Sequence, residues 1–289
     1  MRIGTPATQH SPPAGGRATP GGNTDAARNR WWRLRVRARQ QPRLIAELAL
    51  VAVAYGAYSL IRDAVPNQQG LAFAHAHAIT HLEVMLGINA EHAINHAANR
   101  VGPLIVGMNY YYATLHFVIT IAVLLWVYRR RPHYYRLART TVFATTALAL
   151  IGFYAYPLAP PRLLPGAGFI DTVVVHHTWG AMASGDLAKM SNQYAAMPSM
   201  HIGWSLWCAF TVYFLTDRKV VKRMVFAYPL FTLVVIIATA NHFFLDAAGG
   251  ALTLTAGALL ALLVHGRVRP AAPNDAHERD VQRIPEPSR

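Results

Sequence analysis

Residues 224–265 read MVFAYPLFTLVVIIATANHFFLDAAGGALTLTAGALLALLVH. Two apolar runs, 224–241 and 246–265, meet at a short polar element, Asn241-His242-Phe243-Phe244-Leu245-Asp246. A helix needs about 20 mostly apolar residues to cross a bilayer. The stretch therefore predicts two spanning helices with chemistry-bearing side chains at their junction. Working outward, similar runs occupy 44–61, 104–128, 138–157 and 199–216, which makes six. The last three of the six are only just long enough, so tilt or local bilayer thinning is expected. Composition agrees: 53% of residues are hydrophobic and 14% charged, against about 45–50% and about 25% in an ordinary soluble domain. The fold class expected is all-α, a polytopic membrane helix bundle with six transmembrane helices and further exterior helices at the interface.

The chain of 289 residues carries a formal charge of +14, from 27 Lys and Arg against 13 Asp and Glu. A soluble nucleic-acid binder would mix such basicity with a normal share of acids. Here the basic residues are segregated. Nine lie in the arm through Arg43, five in 129–139, four in 217–223 and five after His265. Only Arg62, Arg100, Arg162 and Lys189 fall in the alternate loops. By the positive-inside bias both termini are cytoplasmic and the loops 62–103 and 157–198 exterior, as in a multi-pass plasma-membrane protein. The cluster Trp31, Trp32, Arg33, Arg35, Arg37, Arg39 and Arg43 suits anionic lipid headgroups at the cytoplasmic face. No nucleic-acid partner is expected. Cys208 is the single cysteine, which excludes a disulfide framework and a Cys-based zinc site.

Three regions follow. Residues 1–43 form a basic cytoplasmic arm expected to be disordered, with no apolar run early enough for a signal peptide. Residues 44–266 form the membrane domain, and 267–289 a polar tail, also expected to be disordered. The first exterior loop reads as helix lying along the interface, with Leu71, Ile79, Leu82, Leu86 and Ile94 as its apolar stripe and Glu83 on another face. Its His75, His77, His81, His92 and His96 include two i, i+4 pairs, but HExxH is absent and a third ligand is not evident. These histidines are read as facing water or headgroups, and no metal is expected.

Three elements at the exterior ends of spans can carry chemistry. Met197-Pro198-Ser199-Met200-His201 opens the fourth span, with Pro198 suited to a first helical turn. The free N–H groups of that turn make an anion site, with His201 close by. In the second element, i, i+4 spacing puts His242 and Asp246 on one helix face. A carboxylate that takes one ring proton leaves the other ring nitrogen nucleophilic. The third is Ala159-Pro160-Pro161-Arg162-Leu163-Leu164-Pro165, a rigid loop that can aim Arg162 at a phosphate. Lys189 is a weaker candidate for the same role, and Asp171 is a possible partner of Arg162.

Pro198-Ser199-Met200-His201 followed by His242 to Asp246 resembles the motif pair of the type 2 phosphatidic acid phosphatase superfamily. With APPRLLP upstream, the chain is similar to the inositol phosphorylceramide synthase-like branch. The resemblance implies that His242 attacks phosphorus to form a phosphohistidine and that Asp246 orients it. It implies that His201 protonates the leaving oxygen and then serves as base, while Ser199 and the neighbouring backbone N–H groups hold phosphate oxygens; Arg162, and more weakly Lys189, are the candidates read from the residues for the remaining phosphate contacts. It implies no metal and no cofactor, and membrane lipids as substrates.

The chain departs from the phosphatase-type members. It lacks their Lys-x6-Arg-Pro element: Arg131-Pro132 lies in a basic loop, with Leu124 seven positions earlier. Val235 and Ile236 stand where those members carry Ser-Arg. With two phosphate-clamping cations missing, transfer of a phosphate-containing headgroup to a lipid or alcohol is favoured over phosphomonoester hydrolysis. A phosphodiester carries one negative charge and needs fewer cations. A transporter is the more distant alternative, but its polar residues would gather near the midplane beside broken helices.

Overall fold

The apolar run after Val101 does become a long helix, and its boundaries follow local chemistry. α3 (Gly102–Tyr110) opens with Pro103 in its first turn, where a missing N–H is harmless. A π turn, Tyr111–Leu115, leads directly into α4 (His116–Arg130), so that 29 residues run continuously. At 1.5 Å per residue this spans about 43 Å, ample for a bilayer. Arg129 and Arg130 sit in the last turn, where cations complement the helix dipole. Pro132 then starts α5 (Pro132–Ala155).

The computed structural model describes residues 68–178 and 193–266, with helical positions at 45–47, 49, 50, 52, 53 and 56. The predicted arms, Lys189 and ten of the 18 residues of the span 44–61 lie outside the described residues. The chain opens with α1 (Gln69–Leu86) and α2 (Glu91–Asn99). After α5 come a 3₁₀ turn (Pro161–Leu163) and the short α6 (Thr172–Val175). Then follow α7 (Met200–Leu215), α8 (Lys219–Met224), α9 (Ala227–Ala238) and α10 (Phe244–His265). No strand occurs among the described residues, only an isolated bridge between Leu158 and Ala195.

Among the described residues four segments are long and apolar enough to cross a membrane: α3–α4, α5, α8–α9 and α10. The predicted fourth span, 199–216, becomes α7, which has 16 residues and reaches only about 24 Å. The protein is therefore a multi-pass helical membrane protein, with four such helices among the described residues, or five if α1 and α2, which bend by 99°, count as one broken span.

Contacts at the two ends of α1 decide how it lies. Its start bonds the chain just beyond α5: His75 Nδ1 with Pro157 O at 2.8 Å and Ala159 N to Ala72 O at 3.2 Å. Its end reaches the start of α10, where Leu245 N donates to Glu83 Oε1 at 2.8 Å. Both anchor points are at one end of the bundle, so α1 runs across that end instead of through it. α2 does the same, with Phe244 N donating to Glu91 Oε1 and Asn95 Nδ2 to Ala238 O. The opposite end gathers the basic turns. Arg131 binds the Leu215 carbonyl at 2.9 Å and Asp217 at 2.6 Å, and Thr140 bonds His265. Glu47, in the predicted first span, is buried against Tyr135 and Arg139.

Of the predicted apolar stripe on α1, only Ile79 turns toward protein. Ala72, Ala76, Ile79 and Glu83 are buried, whereas Leu71, Leu82 and Leu86 are exposed. Small residues are needed inside because the 158–159 backbone comes close enough to hydrogen-bond. Large apolar side chains need no protein partner where the surroundings are lipid.

α10 packs against α5 and α7 through a stripe of small residues: Ala247, Gly250, Gly257 and Ala261 are buried. A Cβ on Gly257 would run into Thr145, with its backbone N at 2.7 Å. One on Gly250 would strike the Ser199 carbonyl oxygen and lie 3.3 Å from Gly203 N. These obstacles are backbone and cannot swing aside. Gly250→Ala should cost about 1–3 kcal/mol of stability, the usual range for overpacking, and lower the melting temperature in detergent. An unchanged melting temperature would refute this close helix contact.

Candidate active site

The turn from α9 into α10 creates the first part of the site. Asn241 N and His242 N both fold back to Ile236 O, and Ala240 takes a left-handed conformation with φ of 50°. α10 begins only at Phe244, so His242 precedes the helix instead of sharing a helical face with Asp246, as the spacing had implied. Asp246 reaches back from the third helical position. Its Oδ2 accepts from Phe243 N at 2.9 Å and pairs with His242 Nδ1 at 3.2 Å. Capping and histidine orientation are thus functions of one oxygen. Both side chains are buried, Asp246 completely. With Nδ1 given to the carboxylate, His242 Nε2 keeps its lone pair, and it makes no hydrogen bond in the structure.

The second part is the start of α7. Pro198 stands outside the helix, joined to Met197 by a cis peptide, and not in its first turn. Ser199 is the N-cap residue, yet its hydroxyl caps nothing: Oγ is buried and unpartnered. Its backbone N donates to Asp246 O at 3.0 Å, which ties the two helix starts together. His201 follows in the first turn of α7. Its ring centre lies 5.5 Å from that of His242, in an edge-to-face arrangement. It stacks on Tyr112 at 4.1 Å and donates from Nε2 to the Tyr112 carbonyl at 3.2 Å.

His201, His242, Asp246 and Ser199 are therefore brought together. Arg162 arrives beside them in a paired state. Its backbone N bonds Ala240 O, its Nε donates to Asn241 Oδ1 at 2.9 Å, and its guanidinium bridges to Asp171 at 2.8 Å. Asp171 also caps α6 through Val173 N and Val174 N. The buried amides of Asn95 and Asn109 fix the same loop through Ile170, Thr172 and Thr178. Of the histidines in the first loop, His75 stacks on Tyr156, and His96 bonds Gly168 O beside His92. These three pin the loop that carries Arg162, while His77 and His81 are exposed. Among the described residues no three His, Cys, Asp or Glu side chains gather as a metal site.

Sequence reasoning missed four residues. Tyr112 and His116 enter from the π turn and the start of α4. An ionisable residue within an apolar run is itself a signal of function, and His116 carried that signal. Glu83 and Glu91 carry no sequence signal for a structural role at the site. They are buried, hydrogen-bonded to each other, and hold the first N–H groups of α10.

A model of the PAP2 superfamily matches residues 77–260, a stretch that contains Arg162, Ser199, His201, His242 and Asp246. The chain belongs to the PAP2 superfamily, and is a membrane-embedded lipid enzyme of the phosphatase and phosphotransferase type. No curated protein and no solved structure matches it significantly.

Burial, and next the hydrogen bond that the protonated carboxyl gives to Glu91, push Glu83 up to about 9 from its ordinary 4.5. The folded chain thus holds a proton that the unfolded chain releases. Stability from this group is full below 4.5 and is lost as pH rises toward the raised value. Glu83→Gln, neutral at every pH, should flatten the fall in melting temperature across that window. Parallel pH profiles for wild type and variant would show that Glu83 has no such linkage.

Proposed function

We propose that this chain is a lipid phosphotransferase that works through a phosphohistidine. It takes a phosphate-containing headgroup from a phospholipid donor and passes it to a lipid or alcohol acceptor. The observation that carries the reading is the unpartnered, buried Nε2 of His242, whose other nitrogen is held by Asp246. Buried donors and acceptors are normally satisfied within the protein. Here His242 Nε2, Asp246 Oδ1 and Ser199 Oγ are left open within one small region.

In the first step His242 Nε2 attacks phosphorus and a P–N bond forms. The P–O bond to the lipid alcohol breaks, and protonated His201 gives its proton to the departing oxygen. Asp246 stabilises the positive charge that develops on His242. In the second step neutral His201 takes the proton of the acceptor hydroxyl, whose oxygen attacks phosphorus. The P–N bond breaks, and both histidines return to their starting states. Ser199 Oγ donates to an oxygen that does not react. Nothing in this cycle consumes a metal or a cofactor.

The choice between transfer and hydrolysis rests on charge. Among the described residues Arg162 pairs with Asp171, which leaves the site little net positive charge to offer a phosphate. A phosphodiester, with one negative charge, fits that supply better than a dianionic monoester. The second reading, a lipid phosphate phosphatase, uses the same residues with water as acceptor. Arg162 acts at the rim, through Asn241, and Lys189 remains a further candidate for phosphate contact. The membership of the inositol phosphorylceramide synthase-like branch is part of this proposal, as is an exterior-facing site in the plasma membrane. Supporting that orientation, the basic turns lie at the end of the bundle away from His242, and cytoplasmic termini place the basic arm against anionic headgroups.

Two measurements test this. Purified protein incubated with phospholipid donors and a labelled acceptor should show turnover that His242→Ala abolishes. Full activity in that variant would sink the mechanism. For orientation, Val174→Cys and Asp217→Cys, made separately with the buried Cys208 replaced by Ser, place thiols at exposed positions on opposite ends. A membrane-impermeant maleimide added to intact cells should label only the cysteine at 174, and labelling of 217 alone would invert the topology.

A further inference from the structure

His116 is the first residue of α4, one turn beyond Tyr112, and is 5% exposed. Its ring centre lies 4.2 Å from that of His201 and 5.7 Å from that of Trp204. The Tyr112 carbonyl, already bonded to His201 Nε2, also faces His116. Even so, His116 Nδ1 makes no hydrogen bond. It joins His242 Nε2, Asp246 Oδ1 and Ser199 Oγ among the buried polar atoms that the fold leaves unsatisfied. The fifth, Tyr228 Oη, belongs to α9.

An imidazole in a spanning helix is costly to desolvate, and a phenyl ring would fill similar space without that cost. The π turn adds to the case, because such turns inside α-helices recur at functional positions. This one lies directly before His116 and presents Tyr112 and His116 to the same ring, that of His201.

We propose that His116 is a third imidazole of the reaction centre, which donates its Nδ1 hydrogen to an oxygen of the bound phosphate ester. The proposal rests on the reading of His201, His242 and Asp246 as the active site. It supplies a donor where the sequence lacks the cations of its phosphatase-type relatives. A neutral imidazole offers direction without adding a full charge, which matches a singly charged phosphodiester better than a dianion. His116 then fixes how the ester sits while His201 moves protons, so adjacent imidazoles divide the work.

The test uses the full-length chain in nanodiscs, with orthovanadate as a mimic of the phosphate in transfer and calorimetry as the readout. Asparagine retains an N–H donor near the position of Nδ1, and phenylalanine retains only the ring. His116→Phe should weaken vanadate binding by about 10²-fold, the usual cost of losing one oxyanion donor, with His116→Asn recovering about tenfold or more of that loss. Thermal melts verify that each variant is folded, and His116→Met replaces the phenylalanine variant if that one is not. Wild-type affinity in the apolar variant, or equal loss in the asparagine and apolar variants, overturns the proposal and reduces His116 to packing. His242→Ala separates the two levels of inference. If it abolishes binding while His116→Phe does not, only the role of His116 falls. If it leaves binding intact, or if the wild type binds no vanadate, the active-site reading falls and takes this proposal with it.

Discussion

A single backbone hydrogen bond, from Ser199 N to the carbonyl of Asp246, joins the starts of the two helices on which the candidate chemistry depends. It forms because α10 presents Gly250 to the Ser199 carbonyl, where any side chain would intervene. The approach of α7 to α10 determines how far His201 stands from His242. From that contact the rest of the architecture can be understood as support. α5 packs along Gly257, α1 and α2 hold the first N–H groups of α10, and the 159–178 loop is fastened to the α9–α10 turn through Arg162. Precision comes from backbone contacts, which have few alternatives, more than from long side chains, which have many.

Much of this was legible because it depends on local pattern. The apolar runs yielded the helices 102–130, 132–155, 219–238 and 244–265 to within a few residues, since hydrophobic length is written directly in the chain. His242 and Asp246 do meet, although the reason differs from the one their spacing had offered. Four residues is one helical turn, but here the carboxylate reaches the histidine by capping its own helix.

What could not be read arises from contacts between distant segments. Nothing around Glu83 in the sequence announces that it will be buried against Leu245, 162 positions away. The buried face of α1 has the same origin: its apolar stripe announces a helix at the interface, but not that close backbone approach would select alanines beside Ile79 and Glu83 on the inner side. Asn95 and Asn109 were invisible for a similar reason, because an amide becomes structural only when its acceptors arrive from elsewhere, two carbonyls for Asn95 and a carbonyl and a hydroxyl for Asn109.

The outward leucines of α1 carry a consequence for the enzyme as a physical object. The helix whose carboxylate grips the start of α10 presents Leu82, Val84, Met85 and Leu86 on its outer surface. Lipid packed against those side chains would bear, through the Glu83 carboxyl, on the first turn of the helix that holds Asp246 against His242.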